Sequence, residues 1–263
     1  EGYHNYNTFD INNLRAVLDE INKLFGFDLS KCILQNLEVG LNITPPIDGT
    51  TLVKSLLTHL TEPFKYYSIK RSEYKQAIHG RYYLKAYNKS IQYNINDEIF
   101  RFEVKYKKML AVNNLGIKTL YDLYNQKKLR LALELVIEKW QSIILYDPTL
   151  RLDEVSNYIR TTKRYQWQNQ NFWLELPKNN KFNELKRMDK TMRLHSQNIK
   201  MEVTQILYKK TKEVLYNRVP MTLETKKNNR VLSSPLYIVK RTDILSTHFN
   251  ITELANKRHQ NVI

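Results

Sequence analysis

Two neighbouring stretches, RYYLKAYNK (81–89) and RFEVKYKK (101–108), alternate apolar with polar side chains. Successive side chains of a β-strand point to opposite faces. In the first stretch one face holds Tyr82, Leu84 and Ala86, and the other holds Tyr83, Lys85, Tyr87 and Lys89. In the second, Phe102, Val104 and Tyr106 oppose Arg101, Glu103 and Lys105. The pattern predicts two strands, each with a core face and a polar face.

A third strand is predicted upstream, in LEVGLNI (37–43). Its apolar face holds Leu37, Val39, Leu41 and Ile43, and its other face holds Glu38, Gly40 and Asn42. The segment SIQYNINDEI between the first two strands is rich in Asn and Asp, which suits a hairpin connection. If the three strands pair with their core faces on one side, the polar residues gather on the other.

Helical spacing of apolar residues surrounds these strands. It predicts helices within residues 8–25, 50–60 and 129–147, and a long basic helix over 184–216. We therefore expect an α+β fold, in which a mostly antiparallel sheet is backed by helices and followed by a helical C-terminal region. The predicted boundary divides a sheet domain (1–127) from a basic, mostly helical domain (128–263), with a strand-like LYIV at 236–239.

The formal charge of +16 and the pI of about 9.6 point to a polyanionic partner such as nucleic acid. Residues 128–263 hold 25 Lys and Arg against 13 Asp and Glu, whereas residues 1–127 hold 17 against 13. A solubilising excess of charge is the alternative. No apolar run is long enough to predict a membrane span. The sequence shows no charged-then-apolar leader and has one cysteine, Cys32. We therefore expect the protein to be located in a reducing cytoplasm.

The predicted polar face combines groups that could act on a phosphodiester. Carboxylates from adjacent strands, Glu38 and Glu103, could hold a hard divalent cation such as Mg²⁺ or Mn²⁺. Lys and Arg neutralise phosphate, and a tyrosine hydroxyl can attack it. Basic side chains among aromatic rings also suit single-stranded DNA. The alternative is an ordinary solvated face with cross-strand ion pairs.

Other kinds of site lack their sequence patterns. The six histidines show no H-x-H or H-x-x-x-H pair, which disfavours a histidine-based metal centre. The six glycines form no phosphate-binding loop, and no nucleophile elbow of a serine hydrolase is present. The three tryptophans are predicted to be core residues. The basic side of the 184–216 helix, which includes Lys186, Lys190 and Arg193, could lie along a DNA backbone.

The order of several short segments resembles a known family. LKAYNKSIQ, then RFEVKYKKM, then LGIKTLYDL resemble segments of replication initiation proteins from plasmids and phages, especially those of Bacteroidetes. GYHNY and LEVGLNI upstream are also similar to segments of that family. The resemblance covers residues 1 to about 127, and extends more loosely into the helical half.

The resemblance implies a rolling-circle initiator. Such an enzyme nicks an origin strand with a tyrosine and a divalent metal, leaving a 5′ phosphotyrosine and a free 3′ hydroxyl. It implies metal ligation by Glu38 and Glu103 and a role for Lys89 and Arg101. The nucleophile stays open: Tyr83 shares the face with the lysines, Tyr82 matches the family segment better, and Tyr67 and Tyr74 are further options.

The partners expected from these considerations are single- or double-stranded origin DNA and host replication proteins, with a homodimer as an option. We expect Lys85, Tyr87, Arg101 and Lys105 to contact DNA on the sheet, and the three basic residues of the long helix to contact its backbone. A non-enzymatic DNA-binding protein on the same scaffold is the first rival, and a partner-binding protein with a generic basic surface is the second.

Overall fold

The computed structural model of this protein describes residues 9–69 and 72–216. The strands in these residues are β1 (Leu37–Ile43), β2 (Leu56–His59), β3 (Glu62–Pro63), β4 (Lys65–Ile69), β5 (Ser72–Ile78), β6 (Tyr82–Asn88), β7 (Phe100–Tyr106) and β8 (Ile143–Leu145). The α-helices are α1 (Ile11–Phe25), α2 (Gly49–Ser55), α3 (Lys89–Tyr93), α4 (Leu110–Asn113), α5 (Gln126–Gln141), α6 (Arg164–Gln168), α7 (Gln170–Glu175), α8 (Lys178–His195) and α9 (Ile199–Tyr216). A 3₁₀ segment spans Leu120–Tyr124 and a π-helical segment spans Ile159–Lys163.

The main sheet has five antiparallel strands in the order β1-β7-β6-β5-β4. A smaller sheet has the order β3-β2-β8. The α+β fold with an antiparallel sheet and a helical C-terminal region is confirmed. The three predicted strands β1, β6 and β7 lie side by side, while the hairpin β4–β5 extends the sheet beyond the prediction.

The apolar faces of the strands form the core, with α5 and α9 packed beside β1. Its fully buried side chains include Leu84, Phe102 and Val104 from the sheet and Trp140 from α5. This cluster of buried side chains includes residues from α1 to α9. The division at residue 127 stays a prediction. A second cluster surrounds Trp167 and Trp173, which are also fully buried.

Three predicted helices are shorter than the sequence pattern indicates. The one predicted over 129–147 ends as α5 at Gln141, and Ile143–Leu145 forms strand β8 instead. The segment predicted as a helix over 50–60 ends as α2 at Ser55, and Leu56–His59 forms strand β2 instead. The buried Lys75 Nζ donates hydrogen bonds of 2.7 Å to the carbonyls of Lys54 and Leu56, at the point where the helix ends. These carbonyls are therefore satisfied without a further helical turn.

The predicted helix over 184–216 is two helices, α8 and α9, separated at Ser196–Asn198. Asp147, which is buried, accepts hydrogen bonds of 2.8 Å from the Ser196 hydroxyl and from the Ile199 backbone N–H. A carboxylate on the first N–H groups of a helix is a strong N-terminal stop. The hydrogen bonds from Asp147, which lies outside the predicted 184–216 helix, therefore divide that helix into α8 and α9. The predicted strand at 236–239 lies outside the described residues.

Within residues 9–69 and 72–216, no helix combines the length and the apolar character that crossing a membrane requires.

Candidate nucleic-acid interface

The strand register brings the predicted polar residues together on one face of the main sheet. Across the strands, Asn42 pairs with Arg101, Arg101 with Tyr87, and Tyr87 with Tyr74. In the next row Gly40 pairs with Glu103, and Glu103 with Lys85. The third row joins Glu38, Lys105 and Tyr83. We call this surface the polar face; its members from the three predicted strands are Glu38, Gly40, Asn42, Tyr83, Lys85, Tyr87, Arg101, Glu103 and Lys105.

A compact ion cluster occupies the centre of the polar face. Glu103 is only 3% exposed, and its two carboxylate oxygens face different cations. One oxygen accepts from Arg101 Nε, and the other lies 3.4 Å from Lys85 Nζ. Arg101 also donates a 3.1 Å hydrogen bond to Asn42 Oδ1 and lies 4.0 Å from Glu38. Glu103 is therefore the buried anion that organises the surrounding cations.

Gly40 makes room for this cluster because it lies opposite Glu103 in the register. A Cβ atom on Gly40 would lie 2.7 Å from Glu103 Cβ and 3.0 Å from the guanidinium carbon of Arg101. The first distance is shorter than any relaxed carbon–carbon contact. A glycine is thus required where β1 approaches the Glu103–Arg101 pair.

We expect Gly40→Ala to lower the free energy of unfolding by about 1–3 kcal/mol, the usual cost of overpacking a well-packed position. Gly80→Ala is the matched control, because nothing lies within 4 Å of a Cβ placed there and its φ is not positive. Urea denaturation followed by tryptophan fluorescence measures both variants. Equal stability of the two would contradict the close approach described for Gly40.

The two predicted metal ligands share the polar face on adjacent strands, but their surroundings do not fit a metal. Burial and the nearby Glu103 carboxylate raise the pKa of Glu38. Both oxygens of Glu103 already face Arg101 and Lys85, so a metal would meet two cations at that carboxylate. In the described ranges no three His, Cys, Asp or Glu side chains converge on a point that could hold a metal ion.

Lys89 lies at the start of α3, beside the ion cluster, with no exposed surface. Burial, together with the charge of Arg101, lowers the pKa of Lys89 to about 8. Its ammonium lies 5.6 Å from the centre of the Tyr93 ring. Lys89 thus adds charge beneath the polar face and is not accessible to direct contact with a ligand.

The tyrosines of β6 differ in position. Tyr83 is half-buried on the polar face, opposite Lys105 in the register, and Lys107 Nζ lies 4.3 Å from its ring centre. Tyr87 is buried, and burial raises its pKa, which disfavours the phenolate. Tyr82 lies on the opposite face of β6, as its parity predicts. Tyr83 therefore shares the polar face with exposed cations that a phosphate could meet, whereas Tyr82 does not.

The predicted DNA-contacting residues differ in accessibility. Lys105 is exposed and Lys85 is half-buried, whereas Tyr87 and most of Arg101 are covered. On α8, Lys186, Lys190 and Arg193 are all exposed, at positions that fall on one side of the helix. Lys186 lies over the Phe182 ring and Arg193 pairs with Asp189. The accessible cations are therefore Lys85, Lys105 and the α8 set.

Sequence spacing did not reveal a histidine pair on the other side of the sheet. His59 Nδ1 and His79 Nε2 are 2.8 Å apart, although the residues are 20 positions apart in the chain. The His79 ring stacks on Tyr82 at 4.5 Å, and Lys139 Nζ lies 4.8 Å from the Tyr82 ring centre. His59 Nε2 is buried with no hydrogen-bond partner among the described residues. Only the pairing of the folded strands brings these groups together.

We expect the stability of the protein to fall as the pH drops below 6.5. Burial lowers the pKa of His59 from 6.5 to about 3, so between these values the unfolded chain binds a proton that the folded protein does not. Each pH unit in this window then costs up to about 1.4 kcal/mol. Urea denaturation at several pH values between 7.5 and 4.5 measures the slope. His59→Gln should flatten it, and an unchanged slope would show that other groups govern the acid response.

No protein-family model, curated protein or solved structure matches this chain. The resemblance to replication initiators remains a prediction from short sequence segments.

Proposed function

We propose that this protein initiates plasmid or phage DNA replication by nicking and rejoining a single-stranded origin strand through Tyr83. The observation that carries the proposal is the position of that tyrosine. Its half-buried ring shares the polar face with the exposed Lys105 and lies under Lys107, while the charges of Lys85 and Arg101 lie one and two rows away. A nucleophile beside phosphate-binding cations is what phosphodiester transfer requires.

In the proposed step, Tyr83 Oη loses its proton and attacks the phosphorus of a DNA phosphodiester. The bond between phosphorus and the 3′ oxygen breaks, and that oxygen takes up a proton. The products are a 5′ phosphotyrosine and a free 3′ hydroxyl, so one phosphoester replaces another. Lys105 and Lys107 stabilise the charge that builds on the phosphate oxygens. Rejoining is the reverse attack by a 3′ hydroxyl.

The divalent metal implied by the family resemblance stays a prediction. Since Glu103 is engaged by Arg101 and Lys85, the cations of the polar face are the groups we propose for phosphate neutralisation. The experiment below includes Mg²⁺, Mn²⁺ and a chelator, so that a metal requirement is measured directly.

A non-enzymatic DNA-binding protein is the second candidate function. The ion cluster favours it, because Glu103 already satisfies two of the cations and the remaining Lys and Tyr side chains could simply hold a strand. In either case α8 offers a second basic surface for the DNA backbone. A homodimer, host replication proteins and a cytoplasmic location are further parts of the proposal.

The test is a search for a covalent protein–DNA adduct. The protein is incubated with labelled single strands from plasmid and phage origins, with Mg²⁺, Mn²⁺ or EDTA, and run on a denaturing gel. We expect a band that survives denaturation and carries the label of the 5′-phosphate side of the nick. Salt-sensitive binding without an adduct on any strand would defeat the enzyme and favour the DNA-binding protein.

A further inference from the structure

The polar face continues beyond its predicted strands onto the β4–β5 hairpin. Tyr74 of β5 pairs in register with Tyr87 of β6 on one side and with Tyr67 of β4 on the other. The rings of Tyr74 and Tyr67 stack with centres 5.5 Å apart and planes within 17° of parallel. Lys85 Nζ lies 4.6 Å from the Tyr74 ring and 4.8 Å from the Tyr87 ring. A row of aromatic rings and one cation thus crosses three strands.

This row ends at the edge of the sheet. β4 is the last strand in the order of the main sheet, and no other described strand pairs beyond it. Tyr74 covers one side of the Tyr67 ring, so the opposite side of that ring faces away from the sheet. Both tyrosines are half-buried and therefore partly accessible. The outer side of the Tyr67 ring is therefore the side on which a further planar group could stack.

Charge at this edge favours an anionic chain that carries the planar group. Lys65 is exposed on the same face of β4, two residues before Tyr67, which is roughly 7 Å along the strand. A nucleobase on Tyr67 would place its backbone phosphate within reach of a lysine at that distance. Only an unpaired base is free to stack on a side chain, because a base in a duplex is held between its neighbours. Stacking on Tyr67 therefore favours single-stranded over double-stranded DNA.

We propose that Tyr67 and Tyr74 form a base-stacking platform that binds an unpaired nucleobase of single-stranded DNA at the β4 edge, with Lys65 holding the adjoining phosphate. The proposal rests on the proposed function, whose substrate it specifies. A strand seated there extends along the polar face toward Tyr83, two strands away. Base stacking on the platform then positions the strand, while the chemistry takes place at Tyr83.

The test compares the binding of fluorescently labelled 12-nucleotide single strands by three variants, using fluorescence anisotropy. Tyr67→Leu removes the ring, and we expect it to weaken binding roughly 5- to 100-fold. Tyr67→Phe keeps the ring and should bind within about 2-fold of the wild type. The matched control is Tyr66→Leu, which removes a ring that is 53% exposed on the opposite face of the same strand and should leave the affinity unchanged.

Two further DNA ligands distinguish the contribution of base stacking to binding from the contribution of charge. An abasic strand and a duplex of the same length lack free bases, so both should bind Tyr67→Leu and the wild type equally. The platform would be overturned if Tyr67→Leu lost as much affinity for the abasic strand as for the normal strand. It would also be overturned if Tyr66→Leu and Tyr67→Leu lost equal affinity for the normal strand. The binding assay does not depend on a covalent adduct. If binding depends on the Tyr67 ring but no adduct forms, the nicking proposal fails and the platform stands. If an adduct forms but binding does not depend on the Tyr67 ring, the platform fails and the nicking proposal stands.

Discussion

Tyr83→Phe should abolish the covalent protein–DNA adduct, whereas Tyr82→Phe should retain it. Removing the Tyr83 hydroxyl deletes the attacking atom and leaves the ring under Lys107, so DNA binding should change little. Tyr82 differs because its side chain points to the other face of β6, against His79 and Lys139. The two substitutions are one residue apart and remove the same atom from opposite sides of one strand.

The measurement is adduct yield on a denaturing gel, with anisotropy to confirm that each variant still binds the strand. A total loss of adduct in Tyr83→Phe with retained binding assigns the nucleophile. The reverse pattern would show that the attack takes place on the side of the histidine pair and that the polar face only docks DNA. Tyr67→Phe is the third variant in the adduct assay, because Tyr67 is an alternative nucleophile and lies on the polar face.

Glu103→Gln should lower the free energy of unfolding by about 3 kcal/mol, the typical cost of removing one partner of a buried ion pair. Glu103 is almost fully buried, and its loss leaves the Arg101 and Lys85 charges without their shared anion. The neutral amide keeps the shape of the side chain, so the loss reports on charge and not on a cavity. Urea denaturation at pH 7 measures it.

The matched control is Glu38→Gln, at the other acidic position of the polar face. Glu38 is 42% exposed and 4.0 Å from Arg101, so its ion pair should contribute less than about 1 kcal/mol. Similar losses for the two variants would contradict the central role of Glu103. If Glu103 instead served mainly as a metal ligand, Glu103→Gln would become more stable as repulsion is relieved, and the apparent stability of the wild type would rise with added Mn²⁺.

The polar face could be predicted from sequence because β1, β6 and β7 alternate cleanly. On each strand the apolar residues face the core and several are fully buried, such as Leu84 with Ala86 on β6. Parity alone then assigned Tyr82 and Tyr83 to opposite faces. The α+β class follows from the same pattern, because an antiparallel sheet with one covered face produces it.

The β4–β5 hairpin could not be predicted in this way because β4 is an edge strand. Lys65, Tyr66 and Ser68 are exposed and Tyr67 is half-buried, so neither face of the strand is consistently apolar. The aromatic platform was missed for that reason. An edge strand carries less of the alternation on which the prediction depends.

The remaining errors come from contacts between distant parts of the chain. An apolar run such as LVKSLL is compatible with a helix or a buried strand, and Lys75, more than fifteen residues later, ends the helix there. Asp147 likewise divides α8 from α9. The histidine pair depends on the pairing of β5 with β6 and the position of β2, which single-sequence spacing does not contain.

Strand β6 places two unlike environments one residue apart, with Tyr82 beside the histidine pair and Tyr83 among the lysines. Deleting or inserting a single residue within it would turn every later side chain to the other side of the sheet. Leu84 and Ala86 would then meet water, and Lys85 would enter the core. Over evolutionary time, the length of this strand should therefore be held fixed even where its individual residues drift.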